Sequence, residues 1–264
     1  TLVDLGKRGR PHVLQLWNIT PLREDEVLGS AFKNRLLPEF EKLGYELMYG
    51  RLNALDYGAA QHRERFFILG SRDREFPKRK NGKPVTIHQL VRPTHHPKGQ
   101  KGLTKYRNLS HVIGDLRSTE PGPCSSYSKQ RKDIYKNIPP GENWVFIRET
   151  PDLFPQDYLK TVMGGAYKSG GGKVGFFRRL SWRKYSPTLT TSPTQKATGL
   201  CHPDDPPRPL SVKEYARIQG FEDDWEFSGP VAAQYKQIGN AVPTQLGRAI
   251  GESLMKLIEN KPAG

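Results

Sequence analysis

The chain has 264 residues, 35% of them hydrophobic, with 26 Gly and 22 Pro, long enough for one large domain or two small ones and rich in turns. Lys and Arg number 42 against 27 Asp and Glu, a net charge of +15, which points to a polyanion such as nucleic acid ahead of a membrane surface or an acidic protein. No apolar run approaches the roughly 20 residues of a membrane span, "TLVDLGKRGR" has no signal-peptide core, and two distant cysteines without metal-ligand spacing fit neither a disulfide framework nor a zinc site, so a soluble intracellular protein without a metal is expected.

Residues 1–75 read as α/β. "RPHVLQLWNI" (10–19) is a buried strand. In "AFKNRLLPEFEKLGY", Phe32, Leu36, Phe40 and Leu43 are spaced for one helix face, with Pro38 as a kink and Gly44 as the stop. "YELMYGRLN" and "RFFILGS" follow as strands. From residue 76 to about 185 the hydrophobic period fades into "KRKNGK", "PTHHPKGQKG", "EPGPCSS", "NIPPGENW" and "YKSGGGKVG". The many aromatics, among them Tyr127, Tyr135, Trp144, Phe154 and Phe177, are too frequent for a disordered tract and predict a small loop-rich domain facing a partner. Helices return with "SVKEYARIQG", where Ser211 and Glu214 form a capping box and Gly220 ends the helix. The last helix has Pro243 in its first turn and a stripe of Leu246, Ile250, Leu254, Leu257 and Ile258.

Three ordered stretches carry chemistry: "ALDYGAAQHRERFFILGSR" (54–72), "RPLSVKEYARIQGF" (208–221) and "QIGNAVP" (237–243), with "SPTLTTSPTQKATGLCHP" (186–203) leading into the second. Together they resemble the eighth, ninth and tenth motifs of DNA (cytosine-5) methyltransferases. The resemblance covers almost the whole chain. It implies part of a doubly wound, Rossmann-like α/β methyltransferase domain with a small irregular target-recognition domain. Residues 1–75 would belong to the catalytic domain, 76–190 to target recognition, and 191–264 to helices returning to the catalytic domain. S-adenosylmethionine would be the cofactor and duplex DNA the partner, in a cytoplasmic bacterial restriction–modification setting at the nucleoid. Arg65 would contact a flipped cytosine and Arg63 would support the pocket or the backbone. Gln61 would lie at the DNA, and Asn240, Ala241 and Val242 would line the cofactor pocket. Arg208, Glu214 and Arg217 would be scaffold. In "GGGKVGFFRRLSWRK" (170–184), Lys173, Arg178, Arg179, Arg183 and Lys184 could meet phosphates or guanine edges, or form a solvated basic loop.

Two departures stand beside the resemblance. The family's sixth motif reads Glu-Asn-Val, whereas the aligned residues are Trp17, Asn18 and Ile19; Asn18 remains a candidate catalytic residue, and Trp17 cannot replace the acid. The family's nucleophile lies in Pro-Cys-Gln ahead of the sixth motif, whereas Cys124 follows the eighth and precedes Ser125. Cys124 is then either a turn residue or a nucleophile in an unusual position. The chain is expected to be part of an enzyme completed by a complementary N-terminal methyltransferase chain. The alternatives are a truncated fragment, a non-catalytic DNA-binding or targeting subunit, and an RNA methylating protein.

Overall fold

The computed structural model describes residues 3–4, 13–19, 34, 37–71, 76–100, 102–118, 120–168, 175–195 and 198–259. They fall into two compact units, one of residues 1–57, 63–104 and 245–264, the other of residues 58–62 and 105–244.

In the first unit, β1 (Val3–Asp4), β2 (Val13–Ile19), β3 (Glu46–Asn53) and β4 (Glu64–Ser71) form a sheet in the order β1-β2-β4-β3, antiparallel at every pairing. β4 has neighbours on both edges, and Phe66, Phe67, Ile68 and Leu69 are buried in succession. That explains its continuous apolar run. β3 and β4 pair without a slip from Glu46 opposite Ser71 to Asn53 opposite Glu64. Asn53 fixes the neck of this hairpin: its Oδ1 accepts from Leu55 N and Arg63 N, both at 3.2 Å, and Ala54 N donates to Arg63 O at 3.0 Å.

Helix α1 covers only Leu37–Lys42, so Pro38 sits in its first turn, where no intrahelical N–H is lost, rather than at a kink. Leu43 is 64% exposed and does not extend an apolar face; Phe32 and Leu36 lie outside the described residues. Helix α2 (Ile87–Leu90) follows the hairpin, and Tyr57 donates its hydroxyl to Val91 O at 2.9 Å. The segment 76–104 therefore packs with the sheet despite its loop-like composition.

The second unit is built around two apolar clusters. One gathers α3 (Leu109–Ile113), Leu180, Leu189 and Leu210 with later helices. The other gathers α4 (Lys129–Lys136), α5 (Trp144–Glu149) and α6 (Gln156–Met163). In it Tyr127 stacks on Tyr135 at 5.0 Å and Tyr135 meets Phe177 edge-on at 5.6 Å. The aromatics of the loop-rich segment thus serve largely as its core. A short parallel pair, β5 (Arg178–Arg179) with β6 (Leu200–Cys201), borders both clusters. Then come α7 (Val212–Gln219) and α8 (Val231–Asn240). Ser211 and Glu214 form the expected capping box, and Gly220 ends α7 with φ +93°. Helix α9 (Thr244–Glu259), which from residue 245 on belongs to the first unit, starts after Pro243, with Leu246, Ile250 and Leu254 buried and Leu257 and Ile258 half-buried.

Candidate functional site

The loop at 58–62 is stitched to the segment 186–190. Ser186 N donates to Ala60 O, His62 N to Ser186 O, and Thr188 Oγ1 to His62 O, each at 2.8 Å. Gln61 sits fully buried in this seam. Its Oε1 accepts from Leu189 N at 2.8 Å, and its Nε2 donates to Gln219 Oε1 at 2.6 Å. Gln219, the last residue of α7 and also fully buried, donates from Nε2 to Ile238 O at 2.9 Å and Ala241 O at 2.6 Å. Gln61, expected at the DNA, thus engages both ends of its amide in the interior. Sequence reasoning passed over Gln219. Its partners, Gln61 and the carbonyls of Ile238 and Ala241, lie far along the chain, so no local pattern marked it.

Arg63 and Arg65 stand at the start of β4. Arg63 is 1% exposed, with its backbone fixed at the hairpin neck. Arg65 pairs across the ladder with Leu52 and donates from Nη1 to Glu64 O at 2.6 Å. Burial lowers the pKa of its half-buried guanidinium from the usual value, and it stays charged at neutral pH. The β2–β4 register slips between Trp17 opposite Phe67 and Ile19 opposite Phe66. Asn18 therefore lies at the sheet end where Arg65 stands; the side chains of β2 lie outside the described structure.

The third stretch is a helix end set on backbone. Ala241 leaves α8 in an extended conformation (φ −69°, ψ 156°). Gly239 is buried against Thr190 and Thr191: a Cβ there would meet the Thr190 carbonyl oxygen and stand 2.6 Å from its carbon and 2.9 Å from Thr191 Cα. Tyr215 donates its hydroxyl to that same Thr190 carbonyl at 3.1 Å. Asn240 is exposed, and Ala241 and Val242 are half-buried. The Ala241 carbonyl is already bonded to Gln219, which fixes the path of the turn. The turn thus presents an exposed amide beside two small, half-buried apolar residues.

The ninth-motif helix is fastened by charge. Glu214 accepts from Arg208 Nη1 and Nη2 at 2.8 and 2.7 Å and from Ser211 N at 2.7 Å, and His202 Nε2 lies 3.2 Å away. Burial raises the Glu214 pKa, but the hydrogen bonds from Arg208 and then His202 outweigh it, and the carboxyl is held at about 2. Arg217 joins Asp115 and Asp223, each at 2.6 Å.

The basic stretch divides. Arg179 is 3% exposed; it ion-pairs with Asp205 at 2.8 Å and donates to Pro203 O at 3.2 Å and Ile138 O at 3.1 Å. Those bonds tie its guanidinium, expected among the DNA contacts, into the interior. Arg178 is half-buried, whereas Arg183 and Lys184 are exposed; Lys173 lies outside the described residues. Cys124 is half-buried, with Sγ 3.1 Å from Ser125 O, and burial raises its pKa. Cys201 is fully buried and its thiol is pushed up to about 12. Among the described residues, no group of three or more His, Cys, Asp or Glu could hold a metal ion, and no helix is long and apolar enough to cross a membrane.

The sequence matches the family model of the C-5 cytosine-specific DNA methylase over residues 3–256. It is 41% identical over 220 residues to the Type II methyltransferase M.Sau96I of Staphylococcus aureus, covering 83% of this chain and 45% of that one. It is 40% identical over 225 residues to the Type II methyltransferase M.Eco47II of Escherichia coli, covering 82% and 48%. With the Type II methyltransferase M.PspPI of Psychrobacter sp. the identity is 34% over 257 residues, covering 97% and 56%. The chain spans about half the length of these relatives. Its structure is similar to the S. pombe Dnmt2 methyltransferase, with a TM-score of 0.54 at 13% identity, covering 96% of this chain and 69% of that one. That likeness shows the fold, part of a Rossmann-like α/β methyltransferase. All strand pairings in the four-stranded sheet described here are antiparallel.

Proposed function

The chain belongs to the C-5 cytosine-specific DNA methylase family, and from that premise we propose that it holds the base and reads the sequence in an enzyme methylating cytosine at carbon-5 in duplex DNA. The methyl donor of this family is S-adenosylmethionine. The observation carrying the proposal is that Gln61, Gln219 and Ala241, from three separated stretches, meet in one buried hydrogen-bonded chain. Such a junction would set the loop bearing Gln61 and the turn at Asn240 on a common support.

A cytosine inside a duplex must leave the stack before its ring can be attacked. Arg65 would hold the extruded base by its planar, permanently charged fork, Arg63 would support the pocket, and Asn18 would act from the same sheet end. Residues 76–190 would recognise the duplex, with Arg183 and Lys184 on the phosphates. Asn240, Ala241 and Val242 would wall the cofactor, which when bound supplies an electrophilic methyl group. The attacking thiolate would come from a complementary N-terminal methyltransferase chain. Burial raises the pKa of both thiols here, the opposite of an activated nucleophile.

Transfer of labelled methyl to mixed-sequence duplex DNA tests this. The chain alone should give none, and adding the N-terminal half of a Type II relative should restore transfer, with Cys124→Ser unaffected. Transfer by the chain alone that Cys124→Ser abolishes would overturn the proposal. A second reading, a targeting subunit without chemistry, draws on Trp17 standing where the resembling motif has Glu. It predicts sequence-preferring DNA binding with no affinity for the methyl donor.

A further inference from the structure

The buried amide chain through Gln61 has a direction. Leu189 N–H at one end can only donate, and the carbonyls of Ile238 and Ala241 at the other can only accept. Both side-chain amides are therefore fixed in orientation: each accepts on the Leu189 side and donates on the Ala241 side. Nothing in the chain can reverse without setting oxygen against oxygen in a buried place. A second clamp acts on the same helix end, since Gly239 rests on the Thr190 backbone, one residue after Leu189.

We infer that Gln61 and Gln219 are positioning residues: a one-way amide relay that carries the placement of the 186–190 segment to the Asn240–Val242 turn. The eighth-motif glutamine then acts on the cofactor wall rather than on DNA. This rests on the cofactor-wall assignment made under Proposed function. A substitution at Gln61 should disturb residues 238–243, far along the chain, while leaving the DNA-facing residues alone.

Two variants separate a relay from a simple loss of packing. Gln61→Met keeps the length but neither hydrogen bond. In Gln61→Glu, the ionised carboxylate still accepts from Leu189 N–H but opposes Gln219 Oε1. When protonated, the acid accepts from Leu189 and donates O–H to Gln219, restoring the direction. A buried glutamic acid titrates above its ordinary value of roughly 4.3, so restoration falls at mildly acid pH.

Hydrogen exchange of the whole chain is measured from about pH 5 to about pH 8, each variant against wild type at the same pH. In Gln61→Met, residues 238–243 should exchange about three- to tenfold faster at every pH, with helices α4 to α6 unchanged. Gln61→Glu should match Gln61→Met at the alkaline end and return to wild type at the acid end. Unchanged exchange at 238–243, loss without acid rescue, or loosening spread over α4 to α6 would each overturn the relay. Equilibrium dialysis with S-adenosylmethionine, and duplex DNA binding at fixed salt, tests the wall separately. Donor affinity should fall in Gln61→Met while DNA affinity holds. If the exchange pattern appears but wild type binds no donor, the relay stands and the wall assignment falls.

Discussion

At Glu214 a carboxylate that is almost fully buried is satisfied by Arg208 and by the Ser211 amide of its own capping box, with His202 Nε2 3.2 Å away. Removing its charge leaves the Arg208 guanidinium, itself only 25% exposed, without its partner. Glu214→Gln is expected to cost about 3 to 5 kcal/mol, read by urea denaturation at neutral pH. The pH dependence has a definite sign. The folded pKa is depressed from 4.5 to about 2, so the stabilisation is complete above about pH 4.5 and is lost as the pH falls towards about 2. The amount is on the order of 3 kcal/mol. Wild type should therefore lose stability through this acid window, and the gap to Glu214→Gln should narrow with it. A constant gap from neutral to acid pH would assign the loss to packing instead.

Among the elements, α7 and α8 each depend on a glycine, for different reasons. Gly220 ends α7 in the left-handed region at φ +93°, where a side chain costs about 1 kcal/mol and Asn is tolerated. Gly239 lies against the Thr190 backbone, which cannot move aside as a flexible side chain could. Gly239→Ala should cost more than Gly220→Ala, about 1 to 3 kcal/mol or above, and only Gly239→Ala should loosen residues 190–191 in hydrogen exchange. Equal costs would count against the close approach. Gly220 was legible in the sequence because a helix stop is a local pattern, as were the cap at Ser211, the strands β3 and β4, and the apolar stripe of α9. The tight seat of Gly239 was not, because the atoms it meets come from another part of the chain. The same holds for Gln61: "QHRER" shows its neighbours but not Leu189 or Gln219. Arg179 differs from Arg183 only through the fold, which buries the first among carbonyls and leaves the second in solvent.

For the molecule as a whole, a charge of +15 predicts polyanion binding only where the cations are unspent. Arg117, Arg208 and Arg217 are committed to Asp204, Glu214, and the Asp115–Asp223 pair, and Arg179 to Asp205. Those pairs shape the second unit and release no counterions on meeting DNA. Arg183 and Lys184 are exposed, in a turn fixed by its backbone: Trp182 O accepts from Ser110 N, Lys184 O from Leu109 N and Ser181 O from Lys184 N. Each phosphate neutralised contributes about −0.9 to the slope of log K against log salt for duplex DNA. The double variant Arg183→Ala, Lys184→Ala should then bind duplex DNA more weakly at low salt and show a slope shallower by about 2, with unchanged thermal stability. Arg179→Ala should do the reverse, losing stability because Pro203 and Ile138 carbonyls are left unpaired. A double variant with the wild-type salt slope would move the phosphate contacts off this turn, and the DNA-facing surface would then have to be sought elsewhere in residues 76–190.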